Sequence, residues 1–161
     1  MPKPPLTTIT QLCVATGLAL AFVAQASGAA GASQLLIRVQ SNTVSGTLTH
    51  HPPAGPRNDV VVEHDALMNA KPGQFGQPVG APVGTDVATI IYRTNTSLMI
   101  RATATLPGGT ILVAGVVTVR PGRPTVVPVV GGTGTFAGAT GTETIGTSSV
   151  SPLNTYRLSL P

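Results

Sequence analysis

Val129-Val130-Gly131-Gly132-Thr133-Gly134-Thr135-Phe136-Ala137-Gly138-Ala139-Thr140-Gly141 is the stretch in which glycine spacing is imposed rather than merely frequent. Within it, Gly132-Thr133-Gly134-Thr135-Phe136-Ala137 fits the G-x-G-x-x-G/A pattern, and residues 126–130 supply the strand that a dinucleotide-binding turn requires. The context contradicts that reading. Such a turn must open a helix, yet Thr140, Thr142, Thr144, Ile145 and Thr147 follow, with Gly138, Gly141 and Gly146 among them, which is a poor helix and a good strand. Too little chain remains for a crossover, and the acid expected about 20 residues on is missing. The better reading is a tight connection between antiparallel strands. Gly131, Gly132, Gly134, Gly138 and Gly141 then supply positive φ or close backbone approach, and Phe136 plugs the turn onto the core.

Outward from that turn, composition points the same way. The chain has 161 residues, the length of one domain, and only 9% of them are charged while Val, Thr and Gly abound, which favours strands and turns over helices. The formal charge of +4 is spread over scattered arginines without interleaved aromatics, so no nucleic-acid partner is expected.

Residues 1–32 read as a secretory signal: Lys3 in a short basic region, an apolar run from Leu12 to Ala24, then Ala24-Gln25-Ala26 or Ala30-Gly31-Ala32 as cleavage sites, after 26 or 32. The run is shorter than the ~20 residues that span a bilayer, so no stable membrane insertion is expected after cleavage, and the product is secreted or periplasmic. Cys13, the one cysteine, lies inside this segment. Residues 33–161 would therefore fold without disulfides or thiolate ligands. His50-His51 beside Pro52-Pro53 lacks a third ligand at useful spacing and reads as a solvated loop, so no metal and no cofactor is expected.

The strands follow in quick succession. Residues 35–40 form a first strand and 41–58 a loop; 59–68 a second strand and 71–83 a long loop stiffened by Pro72, Pro78 and Pro82, suited to a fixed pocket rim. Residues 85–92, 98–106, 110–119, 125–130, 137–147 and 154–160 complete about eight, with Pro107-Gly108-Gly109 as a hairpin turn and Pro128 marking an edge or a bulge. The 110–119 strand is apolar on both faces, as a strand covered on two sides would be, which permits a homo-oligomer, a trimer or a dimer. Eight strands with short turns predict an all-β, antiparallel up-and-down barrel, roomy enough for packed side chains or one small ligand.

The candidate chemistry sits on three strands. Alternation puts Glu63, Asp65 and Leu67 on one face of the second strand. If that face is the lumen, Asp65 is an acid or hydrogen-bond anchor in an apolar cavity; if not, it is a solvated strand residue. Arg101 either stands on a Thr-rich outer surface or points inward to pair with Asp65 or Glu143. Glu63, Asp65, Arg101 and Tyr92 are the ligand-binding candidates, and Asp65 and Glu143 the catalytic ones. Hydrolase and phosphate-binding motifs are absent.

Val-Val-Gly-Gly-Thr-Gly-x-Phe-x-Gly-Ala-x-Gly at 129–141 resembles the signature shared by plant dirigent proteins and the allene oxide cyclase barrel family, including its bacterial secreted members. His64-Asp65 is similar to the His-Asp pair of the first dirigent strand, and residues 77–86 resemble the Pro-Val-Gly run of the same families. The resemblance covers most of residues 33–161. It implies a barrel, an inward Asp65, and a pocket that binds a small apolar molecule and steers its cyclisation or coupling, either as a cofactor-free isomerase or cyclase or as a dirigent-like guide. Thr135 and Thr140 stand where dirigent proteins commonly carry Asp and Arg, and Glu143, on the Ala139–Gly141 face, is the candidate replacement carboxylate. The alternative is a secreted module that binds a ligand or partner surface without chemistry.

Overall fold

Strands with period-two burial pair in chain order, and the last returns to pair with the first. The computed structural model describes residues 32–50, 58–148 and 151–161. Residues 1–31 of the segment read as a signal, and His51, lie outside these. The strands are β1 (Ser33–Thr49), β2 (Val60–Asn69), β3 (Pro82–Tyr92), β4 (Ser97–Leu106), β5 (Gly109–Thr118), β6 (Thr125–Gly132), β7 (Thr140–Ile145) and β8 (Leu153–Leu160). All neighbours are antiparallel, and β1 pairs with β8 from Ser33↔Leu160 to Gln40↔Leu153, closing the barrel. The expected architecture is the one observed.

β1 is much longer than its expected six residues. Its polar half, Ser41–Thr49, has few buried side chains, so no apolar pattern marks it in the sequence. It is a strand because β2 supplies its backbone partners, from Ser41↔Leu67 through a bulge at Thr43/Ser45 to Thr49↔Val60. Pro128 is not at an edge, since a closed barrel has none. It faces Thr142 on β7, while β5–β6 pairing is confined to Ile111↔Gly132, Leu112↔Gly131 and Val113↔Val129, with a register shift beside Val113. The outer face of β5 is also unlike its expected two-sided cover: Leu112 and Val116 lie exposed on a single chain, next to Val126 and Val130 of β6.

Inward residues divide the lumen in two. One end is filled by Ile37, Val39, Leu67, Ile111, Val127, Phe136 and Leu158, none more than 2% exposed. The 129–141 stretch closes this end: a single 3₁₀ turn at Gly134–Phe136 buries Phe136, and β7 follows directly rather than a helix. The turn crosses the β4–β5 hairpin so closely that a Cβ on Gly134 (φ +61°) would lie 2.0 Å from the Gly108 carbonyl oxygen. The 70–81 loop caps the same end. Asn69 Nδ2 donates to the carbonyls of Gln77 (2.7 Å) and Pro78 (3.2 Å), and the Gln74 side chain brackets the Arg38 backbone, so the loop is held fixed as expected. It rims the apolar end, however, and not the cavity described below.

Gly134→Ala combines left-handed strain with a backbone collision and is expected to cost more than about 2 kcal/mol of stability, read from urea unfolding midpoints.

Candidate functional site

The other half of the lumen is lined by carboxyl groups. Val61, Glu63, Asp65 and Leu67 share the inward parity of β2, and the β2–β3 register sets Asp65 directly opposite Asp86. From across the barrel β7 contributes Glu143, whose ladder partner on β8 is Tyr156. β1 adds Ser41 and β8 adds Asn154. Ala88, Ile90, Ile100, Ala102 and Ile145 make the apolar part of the wall of a cavity of about 110 Å³. Small residues on β3 and β4 leave this volume open, where Leu and Ile fill the opposite end.

Three of the carboxyls have internal donors: Ser41 Oγ donates to Asp65 Oδ2 at 2.6 Å, the Tyr156 hydroxyl to Glu143, and the Val87 backbone N–H to Asp86. The remaining oxygens of the cluster are poorly served: Asp65 Oδ1, Asp86 Oδ1 and Asn154 Oδ1 are buried without a hydrogen-bond partner. Among the described residues no cation offsets the charge. Every described Lys and Arg is exposed, as are His50 and His64.

Burial and mutual repulsion therefore favour the protonated forms of Glu63, Asp86 and Glu143. Glu143, 3% exposed, is pushed up to about 7, first by burial and then by the charge of Asp86, against the opposing Tyr156 hydrogen bond. Asp86 is raised to about 6 by burial and then by Asp65. Glu63 is raised by burial and by Asp65, and Tyr156 is held well above the usual phenol range by burial beside Glu143. Near neutral pH Glu143 is therefore suited to give or to take a proton.

The expected site residues are thus partly brought together. Asp65, Glu63 and Glu143 all line the cavity, while His64, the neighbour of Asp65, faces out. Arg101 takes the outer of its two expected positions, exposed between Thr89 and Ala114, because Ile100 and Ala102 on either side point inward; it meets neither Asp65 nor Glu143, and its expected part in the lumenal site is corrected. Tyr92 shares the parity of Asp86 and Ile90 but sits half-buried at the end of β3, beyond the cavity wall. His50 of the expected solvated loop pairs with Asp59 at 2.9 Å. No group of three metal-ligating side chains occurs among the described residues. Asp86, Ser41, Asn154 and Tyr156 were not expected. The alternation Asp86, Ala88, Ile90 was a usable signal for the first of these, since a lone acid on an otherwise apolar strand face is either a lumen residue or an edge.

The raised acids predict an unusual pH profile. Between their ordinary values, 3.8 and 4.5, and about 6 and 7, the folded chain keeps protons that the unfolded chain has lost, so stability is greatest below this window and falls as pH rises through it. The loss is on the order of 3 kcal/mol for each group. Thermal melts at acidic and alkaline pH are expected to show it, and Asp86→Asn with Glu143→Gln to flatten it.

No family model matches this sequence, and no curated protein matches it. Solved structures do. A pyocyanin demethylase superposes with a TM-score of 0.65 at 18% identity, over 77% of this chain and 99% of that one. The pterocarpan synthase dirigent protein GePTS1 gives 0.59 at 16%, over 80% and 84%. AbnU, an exo-specific intermolecular Diels-Alderase, gives 0.60 at 13%, over 79% and 98%. The chain therefore has the eight-stranded barrel fold shared by dirigent proteins and by these enzymes, which bears out the resemblance of its glycine stretch at the level of fold.

Proposed function

We propose that this protein is exported and binds a small, largely apolar molecule in the carboxyl-lined half of its barrel, guiding its cyclisation or stereoselective coupling without a cofactor. One observation carries the reading: acids with buried, unpartnered oxygens converge on a cavity of about 110 Å³ whose remaining wall is apolar. Such a pocket acts by confinement and orientation, holding reacting atoms near attack distance, while Glu143 and Asp86 relay protons. Asp65, fixed by Ser41, would anchor the ligand. The barrels of similar fold named above, a demethylase, a pterocarpan synthase dirigent protein and a Diels-Alderase, support use of this lumen on small organic molecules. Export is supported by the apolar run Leu12 to Ala24 and the small residues after it.

A second reading, a binding module that meets a partner surface, is favoured by the exposed apolar group Leu112, Val116, Val126 and Val130. Its simplest form is a homo-oligomer, a dimer or a trimer, joined through the β5–β6 face.

Native mass spectrometry of the secreted chain reads both. A co-purified small molecule is expected, with Asp65→Ala and Asp86→Ala each lowering its occupancy at least about tenfold while the circular dichroism stays that of a β-barrel. Unchanged occupancy in both variants would overturn the lumenal reading, and a strictly monomeric species would remove the oligomer.

A further inference from the structure

Resting on the lumenal binding site, the structure allows its ligand to be specified further. We propose that the ligand carries a protonated nitrogen, a primary ammonium on an apolar body, and that this head lodges against Asp65, Asp86 and Asn154.

The cluster of acids alone would not show this; the unmet acceptors do. Asp86 and Asn154 are 7% and 5% exposed, line the cavity, and each holds an oxygen with no donor. The Asp65 Oδ1 atom is in the same state. A buried acceptor that the chain leaves unpaired costs about 1–3 kcal/mol, and a charged one more, so these oxygens call for donors from outside the chain. The chain has few to offer. The hydroxyls of Ser41 and Tyr156 are already committed to Asp65 and Glu143, and the described Lys and Arg side chains are all outside. An ammonium brings three N–H donors to three orphan oxygens, and also the positive charge that the cluster lacks. A hydroxyl brings one donor and no charge. A carboxylate or phosphate would add repulsion.

The titratable groups facing this position are Glu63 and Asp65 on β2, Asp86 on β3, Glu143 on β7 and Tyr156 on β8; the lumenal lining from β1 and β4 consists of Ser41, Ile100 and Ala102. Protons on Asp86 and Glu143 relieve their mutual repulsion. A bound cation takes over that role, so binding expels protons below about pH 7 and strengthens as pH rises through about 6 to 7. The cavity admits the head and a few attached carbons, leaving the rest of the ligand toward the mouth.

The test is calorimetry on the full mature chain with three probes of matched size: benzylamine, benzyl alcohol and benzoate. At alkaline pH, with benzylamine still protonated, it is expected to bind at least about tenfold more tightly than the alcohol, with benzoate failing to bind. Titrations near pH 6.5 in two buffers of different ionisation enthalpy are expected to show proton release on amine binding. Asp86→Asn and Asp65→Asn, near-isosteric so that the barrel survives, should bring amine and alcohol to similar affinity. If the alcohol or benzoate binds as tightly as the amine, or if the preference survives both variants, the cation assignment is overturned while the lumenal site stands. If none of the three binds at millimolar concentration, the lumenal site itself is lost and the assignment with it.

Discussion

Pairing of β1 with β8 is the constraint from which the rest follows. Once the sheet is shut, every strand has two partners and only two environments, inside and outside, and period-two alternation becomes a commitment for each residue. Eight residues of β1 pair continuously with β8, from Ser33↔Leu160 to Gln40↔Leu153, and a one-residue slip there would turn Ile37, Val39 and Ser41 outward together. The same slip taken by β8 instead would expose Leu158 and Tyr156. The apolar end of the lumen thus fixes the register, and the register in turn places acids that would never choose a buried position by themselves.

That placement works against stability. Asp65 and Asp86 sit directly opposite across β2 and β3, an arrangement of like charges that weakens a sheet, and Glu143 joins them from the far wall. Nothing in the packing demands acids there, since Val or Leu would fill the space as their counterparts do at the other end. Buried like-charged groups that raise one another's proton affinity are the pattern of sites where protons are moved or charge is received. The well-packed end around Phe136 and Leu158 supplies the stability that this half gives up.

Much of this was legible in the residues. The glycines of 129–141 are spaced for a crossing of two backbones, and Gly134 against Gly108 shows the approach they permit. Parity put Glu63 and Asp65 on one face, and the same arithmetic, applied once Ile100 and Ala102 are inward, sends Arg101 outside. Two features were not readable. The polar half of β1 has no burial pattern because its stability lies in backbone pairing with β2, a long-range property. The convergence of Asp65, Asp86 and Glu143 depends on which residues face each other across strands and across the lumen, and 57 positions separate Asp86 from Glu143 in the chain. Local pattern tells which face a residue takes; only register tells what it meets there.

The cavity also depends on small side chains placed beside its carboxyls. On β4, inward residues run from Leu106 and Ala104 at the filled end to Ala102 and Ile100 at the cavity, and on β3 Ala88 lies beside Asp86. Small groups next to carboxyls serve two opposed needs. They leave room for a ligand to reach the acids, and they keep the surrounding wall apolar enough that the acids stay poorly solvated and hold their protons. Larger aliphatics would close the cavity, and polar replacements would solvate the carboxyls and lower their proton affinity. Alanine at 88 and 102 is thus as much a part of the chemistry as Glu143: the cavity is made by what those strands omit.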